Sequence, residues 1–328
     1  VLQLAAPRYG ASMQAAVYDR YGSAEVVSFR DIPTPRLRGG EVLVRVEAAA
    51  LNPKDVVIRS GKFRTMSGTK FPKQIGFDLV GRVMDLGWRV PTAFAGTRVI
   101  GFFSGYRMQH GSIAELAAIP ADQVAVIARE IDAPLAAATP LAGSTALQAL
   151  RDDAKLESGQ RILIVGASGG VGTFAVQIAK LLGAHVDAST SANNADLVRS
   201  LGADEVFDHA SSNPLGVGPY DAVLDCFGRL RAKDVARVLA RHGRFVSLVP
   251  VRGVFRDVVV GRVMFPRTVL TSVKPRTSDL AQLGGWLGSG RLQPVIDHVY
   301  SRAELQDAMQ RLETRHARGK IVIKLDEA

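Results

Sequence analysis

The chain has a single cysteine, Cys226, in 328 residues. An intrachain disulfide and a zinc site built on several cysteines are therefore excluded. Such sparse cysteine suits a reducing compartment, and the expected location is the cytoplasm. Cys226 lies in the apolar run "YDAVLDCFG", where a buried inert thiol is expected rather than a nucleophile. No apolar run reaches the ~18 residues of a membrane helix, so no membrane partner is expected. The formal charge is +10, yet the basic residues are spread out and form no block. That pattern reads as a solvated surface plus a pocket for an anionic ligand, without a nucleic-acid partner. The six histidines show no metal-ligand spacing. Ser144 and Ser168 have no nearby His–acid arrangement of the hydrolase kind. Residues 1–12, "VLQLAAPRYGAS", lack the basic start and apolar core of a signal peptide and read as an extension.

What is present suits two domains. Hydrophobic residues make up 47% and charged residues 22%, ordinary for a globular protein of a length that one small core cannot serve. Residues 13–134 are β-rich, with short strands predicted in "EVLVRVEAAAL", "GRVMDLG", "GTRVIGFF" and "HGSIAELAAIP", punctuated by glycine. Over 135–289, strand-length and helix-length apolar segments alternate, as in βαβ units. The strands expected there are 161–165, 185–190, 205–208, 220–226, 243–249 and 268–273. Their nearly continuous apolar character fits a doubly wound parallel sheet covered on both faces. Residues 290–328 hold two strands, "LQPVIDHVY" and "GKIVIKL", around the helix "SRAELQDAMQRLE". So short a segment cannot bury a core of its own, so it is expected to complete the N-terminal domain.

The segment "RILIVGASGGVGTFAVQIAKLLGAHVDAST", Arg161–Thr190, is the most informative. A buried strand, "ILIV", enters a glycine turn, and Val171, Phe174, Ala175, Ile178, Ala179 and Leu182 then recur at helical spacing. Glycines between a strand and a helix form a dinucleotide-binding fingerprint, the anion resting on the helix N-terminus. The loop residues Ala167, Ser168, Gly169, Gly170, Val171 and Gly172 are the candidate phosphate cradle. Ala167 stands at the first fingerprint glycine, Gly169 allows backbone approach to a pyrophosphate, and Gly172 allows tight helix packing. An acid at the end of the second strand would hold a ribose 2′-hydroxyl and mark NAD. That position is Thr190, followed by "SANN", so a 2′-phosphate is not repelled and NADPH is expected. Asp187 complicates the reading, because it also lies about 20 residues past the loop, and strand alternation turns it to the opposite face.

Seven segments, "ALNPKDVVIRSG", "GFDLVGRV", "HGSIAE", "PLAGSTALQAL", "GASGGVG", "LGADEVFD" and "GKIVI", occur in the order found in one family. From Met13 to about Leu325 the chain resembles the medium-chain dehydrogenase/reductase superfamily, in its zinc-independent NADPH:quinone oxidoreductase (zeta-crystallin-like) branch. The resemblance implies an α/β protein with a Rossmann domain, a GroES-like β-rich catalytic domain, and an active-site cleft between them. Zinc-dependent members bind their metal at positions that match Asn52, Phe77 and Leu141 here, so no metal is expected. Without a metal to acidify an alcohol, the implied reaction is hydride transfer to a quinone or an α,β-unsaturated carbonyl.

The resemblance implies a role for Asn52 in orienting acceptor or nicotinamide, as a hydrogen-bond donor to the acceptor oxygen, and for Thr145 in contacting the nicotinamide. Asn52 precedes Pro53 and equally suits a turn, and Asp55 either orients Asn52 or caps the following helical turn. Around the 2′-phosphate, Thr190, Ser191, Asn194 (where relatives carry lysine), His209 and Arg315 are candidates, with Phe227 and Lys320 completing the cofactor set. Phe63, Tyr106, Phe255 and Phe265 are candidates for an apolar acceptor pocket. A homodimer through strand 268–273 is implied. The alternatives are an enoyl-thioester reductase, with Arg252, Arg256 and Arg262 meeting a phosphopantetheine arm, and a nucleotide-binding structural or RNA-binding protein with little turnover.

Overall fold

The computed structural model describes residues 10–250, 253–261 and 266–325. The chain divides into two compact units, Val1–Leu141 with Pro275–Ala328, and Ala142–Lys274. The first unit opens with β1 (Ser12–Tyr18), β2 (Ser28–Pro33), β3 (Glu41–Leu51), helix α1 (Pro53–Arg59), the short α2 (Arg64–Ser67), β4 (Lys73–Gln74) and β5 (Asp78–Leu86). It continues through β6 (Arg98–Phe102), β7 (Leu116–Pro120), β8 (Val124–Val126) and α3 (Ala133–Ala138). Helix α4 (Pro140–Gln148) leads into the second unit, with β9 (Arg161–Val165), α5 (Gly172–Leu181), β10 (His185–Thr190), α6 (Ala195–Ser200) and β11 (Glu205–Asp208). There follow β12 (Tyr220–Asp225), α7 (Ala232–Val235), β13 (Leu239–Ser247), α8 (Val254–Val260) and β14 (Arg267–Leu270). Helix α9 (Thr277–Gly288), β15 (Ile296–Tyr300), α10 (Leu305–Glu313) and β16 (Lys320–Lys324) then return to the first unit.

In the second unit the sheet order is β11-β10-β9-β12-β13-β14, and every pairing is parallel. This is the doubly wound order with its switch point between β9 and β12, where ligands bind beyond the strands' carboxyl ends. Ile162, Leu163 and Ile164 are all fully buried, which is why the strand runs apolar on both faces. The edge strand is shorter than expected, Arg267–Leu270 rather than 268–273.

The first unit carries a sheet ordered β15-β16-β3-β5-β6-β8, with β7 also on β3, and a three-stranded sheet β2-β1-β4. The C-terminal strand β16 pairs antiparallel with β3, Ile321 opposite Leu51. The β-rich domain extends further than the expected limits of 13–134 and 290–328, because residues 135–141 and 275–289 also belong to the first unit. Helix α9 buries Leu280 and Leu283, and a Cβ on Gly284 would stand 2.8 Å from Ile127. Its apolar stripe therefore covers strands of the first unit rather than the parallel sheet. Among the described residues no helix is long and apolar enough to cross a membrane.

Candidate functional site

The first unit holds a buried polar network around Asn52, at the junction of β3 and α1. Asn52 has extended backbone angles (φ −134°, ψ 152°) and Pro53 follows at the first helical position, the usual grammar of a helix start. Asp55 supplies the cap, accepting from Asn52 N through Oδ2 and from Gly76 N through Oδ1, each at 2.9 Å. The Asn52 side chain is used otherwise. Its Oδ1 accepts from Lys320 Nζ at 2.6 Å, and its Nδ2 donates to Asp78 Oδ2 at 2.8 Å and to Ala50 O at 3.2 Å. Rotating the amide would set its N–H groups against an ammonium, so Lys320 fixes its orientation. Lys320 Nζ also donates to Leu51 O and to Asp78 Oδ2, each at 3.1 Å. Asp78 Oδ1 accepts from Leu141 N at 2.6 Å. Asn52, Asp55, Asp78 and Lys320 are all buried. Burial pushes the Asp55 carboxyl up to about 6, against the pull of the N–H groups of Asn52 and Gly76. Burial also raises Asp78, with Lys320 the strongest opposing influence.

Two expectations change here. Asn52 has both N–H bonds committed to Asp78 and Ala50, so it has no donor left for an acceptor oxygen. Lys320 has its three N–H bonds committed within the network and is a structural cation rather than a cofactor ligand. Asp78 and Asp55, not singled out as catalytic from the sequence, hold the network together. A signal for them was present, since "GFD" and "NPKD" put acids beside apolar strands.

A second cluster in the same unit surrounds Lys54. Its Nζ lies 4.2 Å from the centroid of Phe77 and 4.4 Å from that of Tyr106. Phe63 meets Tyr106 edge-on, with ring centroids 5.6 Å apart. Phe63 and Tyr106 are thus brought together as a half-buried aromatic group. Phe255 is 63% exposed on α8 of the other unit. Phe265, Arg252 and Arg262 lie outside the described residues, and Arg256 is exposed.

In the second unit the glycine loop has the features of a phosphate cradle. Gly166, not position 167, takes the left-handed turn, at φ +79°. A Cβ on Gly172 would lie 2.2 Å from Gly166 O, so the helix can start this close to the strand only with glycine there. Ser168 Oγ accepts from Thr190 Oγ1 at 2.8 Å and from Asn194 Nδ2 at 3.1 Å. Among the described residues Asn194 Oδ1 is buried without a partner. A buried acceptor of this kind suits a ribose hydroxyl, and the loop, Thr190 and Asn194 together fit the adenosine half of a dinucleotide. His209 is exposed, but its backbone N–H donates to Thr190 O, placing it beside the same strand end. Ser191 begins the turn after β10. Phe227 is 44% exposed in a loop that Asp225 organises by accepting from the N–H groups of Phe227, Gly228 and Leu230. Asp225 was not anticipated, although an acid at a strand end before "CFG" is the usual mark of such a turn. Thr145 is half-buried in α4, and Arg315 is exposed in the first unit at φ +58°.

Asp187 finds its partners inside the fold. Arg161 donates to both of its oxygens at 3.3 and 2.7 Å, Tyr220 Oη donates at 2.9 Å, and His185 Nε2 lies 3.2 Å away. The carboxylate is fully buried and spent. Asp208, opposite Thr190 on β11, is engaged by Ser211 and the Ala210 N–H. Cys226 is half-buried, and burial pushes its thiol well above the usual range.

Comparison with known proteins agrees with this architecture. Residues 38–129 match the family described as "Alcohol dehydrogenase GroES-like domain" and residues 201–323 the family described as "Zinc-binding dehydrogenase". A chloroplast envelope quinone oxidoreductase homolog of Arabidopsis thaliana is 33% identical, over 96% of this chain and 99% of that protein. The chain belongs to the medium-chain dehydrogenase/reductase superfamily, in its zinc-independent quinone oxidoreductase branch. An NADPH-dependent alkenal/one oxidoreductase, also from Arabidopsis thaliana, is 33% identical over 95% of this chain and 79% of that protein. The solved quinone oxidoreductase of Coxiella burnetii superposes with a TM-score of 0.86 at 30% identity, over 96% of this chain and 100% of that one. Membership implies a nicotinamide cofactor. Zinc, which one family description names, does not fit the residues here. Asn52 is engaged by Lys320 and Asp78, and Phe77 and Leu141 offer no side-chain donor.

Proposed function

We propose that the chain is a zinc-independent, NADPH-dependent reductase of quinones or α,β-unsaturated carbonyls. One observation carries the reading: where metal-dependent relatives bind zinc, this chain has a locked amide, a phenyl ring and an isobutyl group. No side chain there can supply a Lewis acid to ionise an alcohol. Hydride transfer to an acceptor that is already electrophilic does not need one. The names of the quinone and alkenal/one oxidoreductase relatives support the same acceptor classes. A bound reduced nicotinamide supplies the hydride.

NADPH is favoured over NADH by charge. Among the described residues no free carboxylate faces the end of β10: Thr190 stands where NAD-binding chains carry an acid, and Asp187 is consumed by Arg161 and Tyr220. Thr190, Ser168 and Asn194 offer hydroxyl and amide groups that a 2′-phosphate tolerates. A two-fold dimer through the sheet edge β14 and a cytoplasmic location belong to the same proposal.

The test is NADPH and NADH oxidation with 9,10-phenanthrenequinone and with 3-penten-2-one, EDTA present throughout. Turnover that prefers NADPH and ignores EDTA is expected. Activity abolished by EDTA would end the zinc-independent reading, and a preference for NADH would end the argument from Thr190. A monomer by light scattering would exclude the dimer.

A further inference from the structure

We propose that Lys54 is the catalytic acid of this site: its ammonium meets the acceptor's oxygen as negative charge develops there and gives it a proton. The inference rests on the reductase reading above and adds a residue to it.

The geometry is that of an ammonium held ready for a ligand. Lys54 Nζ sits over two ring faces, Phe77 at 4.2 Å and Tyr106 at 4.4 Å. Among the described residues no carboxylate or carbonyl accepts a hydrogen bond from it. The buried cations of the same unit each have an acceptor that Lys54 lacks: Lys320 is paired with Asp78, Arg59 with Glu313, and Lys73 donates to Ser67 O and Arg107 O. A partly buried cation is costly to leave without an acceptor, and ring faces hold it without consuming an N–H. Its three donors therefore remain available to something that binds. Phe77, one of the two rings, stands at a position where metal-dependent relatives have a zinc ligand. The ammonium is thus held against a ring that stands where those relatives have a metal ligand. It also supplies the donor that Asn52, two residues earlier, cannot.

The proton inventory closes. Once an enone had received hydride at its β-carbon, chemistry a reduced nicotinamide would supply, the π electrons would lie on the carbonyl oxygen. A Lys54 N–H bond breaks as the O–H bond forms, leaving an enol and a neutral amine. The enol becomes the ketone by proton exchange with water, and the amine regains its proton from solvent. For a quinone the same proton completes the hydroquinone.

Burial lowers the ammonium's pKa to about 8, with Asp55 pulling the other way. A general acid works best when its pKa is near the operating pH. The charged groups on the segments that pack there are Asp55 and Arg59 on the same helix, Lys62 and Arg64 beside Phe63, Asp78 beside Phe77, Arg107 beside Tyr106, and Lys73, which donates to Arg107 O. Lys54 is protonated below about pH 8, so kcat should hold level there and fall above it.

The experiment compares wild type, Lys54→Met and Lys54→Arg with NADPH and 3-penten-2-one from pH 6 to 10. Loss of a general acid costs about a hundredfold or more, so Lys54→Met should lose about that much kcat, flatten the alkaline limb and leave NADPH affinity by fluorescence unchanged. Lys54→Arg keeps the charge but, with a pKa above about 12, is a poor donor. It should recover KM without recovering kcat. A wild-type rate in Lys54→Met, or full recovery of kcat in Lys54→Arg, overturns the assignment. A second readout does not use turnover. In the cofactor-free wild-type protein, trinitrobenzenesulfonate labelling of Lys54, followed by peptide mass, should reach half its plateau rate near pH 8. A midpoint above about 10, as for an ordinary lysine, also overturns it. No oxidation of NADPH by the wild type with any quinone or enone would instead overturn the reductase reading, and the labelling midpoint still judges Lys54.

Discussion

Replacing Lys320 with methionine should unbalance the first unit more than its one hydrogen-bonded charge suggests. The ammonium makes three bonds, to Leu51 O, Asn52 Oδ1 and Asp78 Oδ2. Without it, Asp78 is a fully buried carboxylate with only the Asn52 amide and the Leu141 N–H for partners. Removing one member of a buried ion pair costs about 3–5 kcal/mol, since the other is left uncompensated. For a unit of this size that corresponds to a fall in Tm on the order of 10 °C. Burial already raises the Asp78 pKa, and Lys320 is the strongest influence holding it down. In the variant the folded pKa therefore climbs further above its unfolded value, so the folded state binds the proton more tightly. The deficit should be smallest at acid pH, where folded Asp78 is protonated, and should grow as pH rises through the folded pKa. The double variant Lys320→Met/Asp78→Asn removes the orphan charge and should recover more than half of the loss. Urea denaturation of the cofactor-free protein at pH 5 and pH 8 measures all of this. A deficit equal at both pH values, or a double variant no better than the single, would refute the claim that Lys320 serves to balance Asp78.

Three further outcomes are expected. Gly172→Ala places a Cβ 2.2 Å from Gly166 O and 2.7 Å from Ala167 Cα, both backbone atoms. The loop must move, so NADPH affinity measured by fluorescence quenching should fall at least about tenfold; unchanged affinity would separate this loop from the cofactor. Asp187→Asn weakens a buried pair with Arg161 and should cost about 3 kcal/mol in urea denaturation, leaving the NADPH-to-NADH preference untouched; a changed preference would return Asp187 to the ribose pocket. Asp55→Asn loses one of two caps, on Asn52 N or Gly76 N, at about 1–2 kcal/mol. The native carboxyl, raised to about 6, contributes most stability below its unfolded pKa and loses it as pH rises through about 6. The cost of Asp55→Asn should therefore be larger at pH 4.5 than at pH 7, and the reverse order would contradict the raised pKa.

The parallel sheet was legible because both faces of its strands are buried, and burial on both faces leaves a continuous apolar run. The expected 161–165, 185–190 and 205–208 coincide with β9, β10 and β11. The expected boundary at 289 put helix α9 with the parallel sheet, because an amphipathic pattern says that a helix has an apolar face, not which sheet lies under it. Periodicity is a property of one element, whereas packing is a property of two. The same distinction governs the polar residues. Asp187 inside a central strand announced a need for a partner, and the answer, Arg161, comes from the parallel register of β9 and β10, which sets His185 against Arg161. Lys320 in "GKIVI" and Asp78 in "GFD" meet although they stand 242 residues apart. Lys320 read alone looked like a ligand for something external and was accordingly expected to hold cofactor. Once the topology joins β16 to β3 and β3 to β5, the two charges answer each other and drop out of the search. Lys54 works in the opposite sense. In "NPKD" nothing marks it out, and only the fold shows rings where its counter-charge would be. A buried charge that the fold satisfies is a structural residue; one that it leaves unsatisfied is where a ligand belongs.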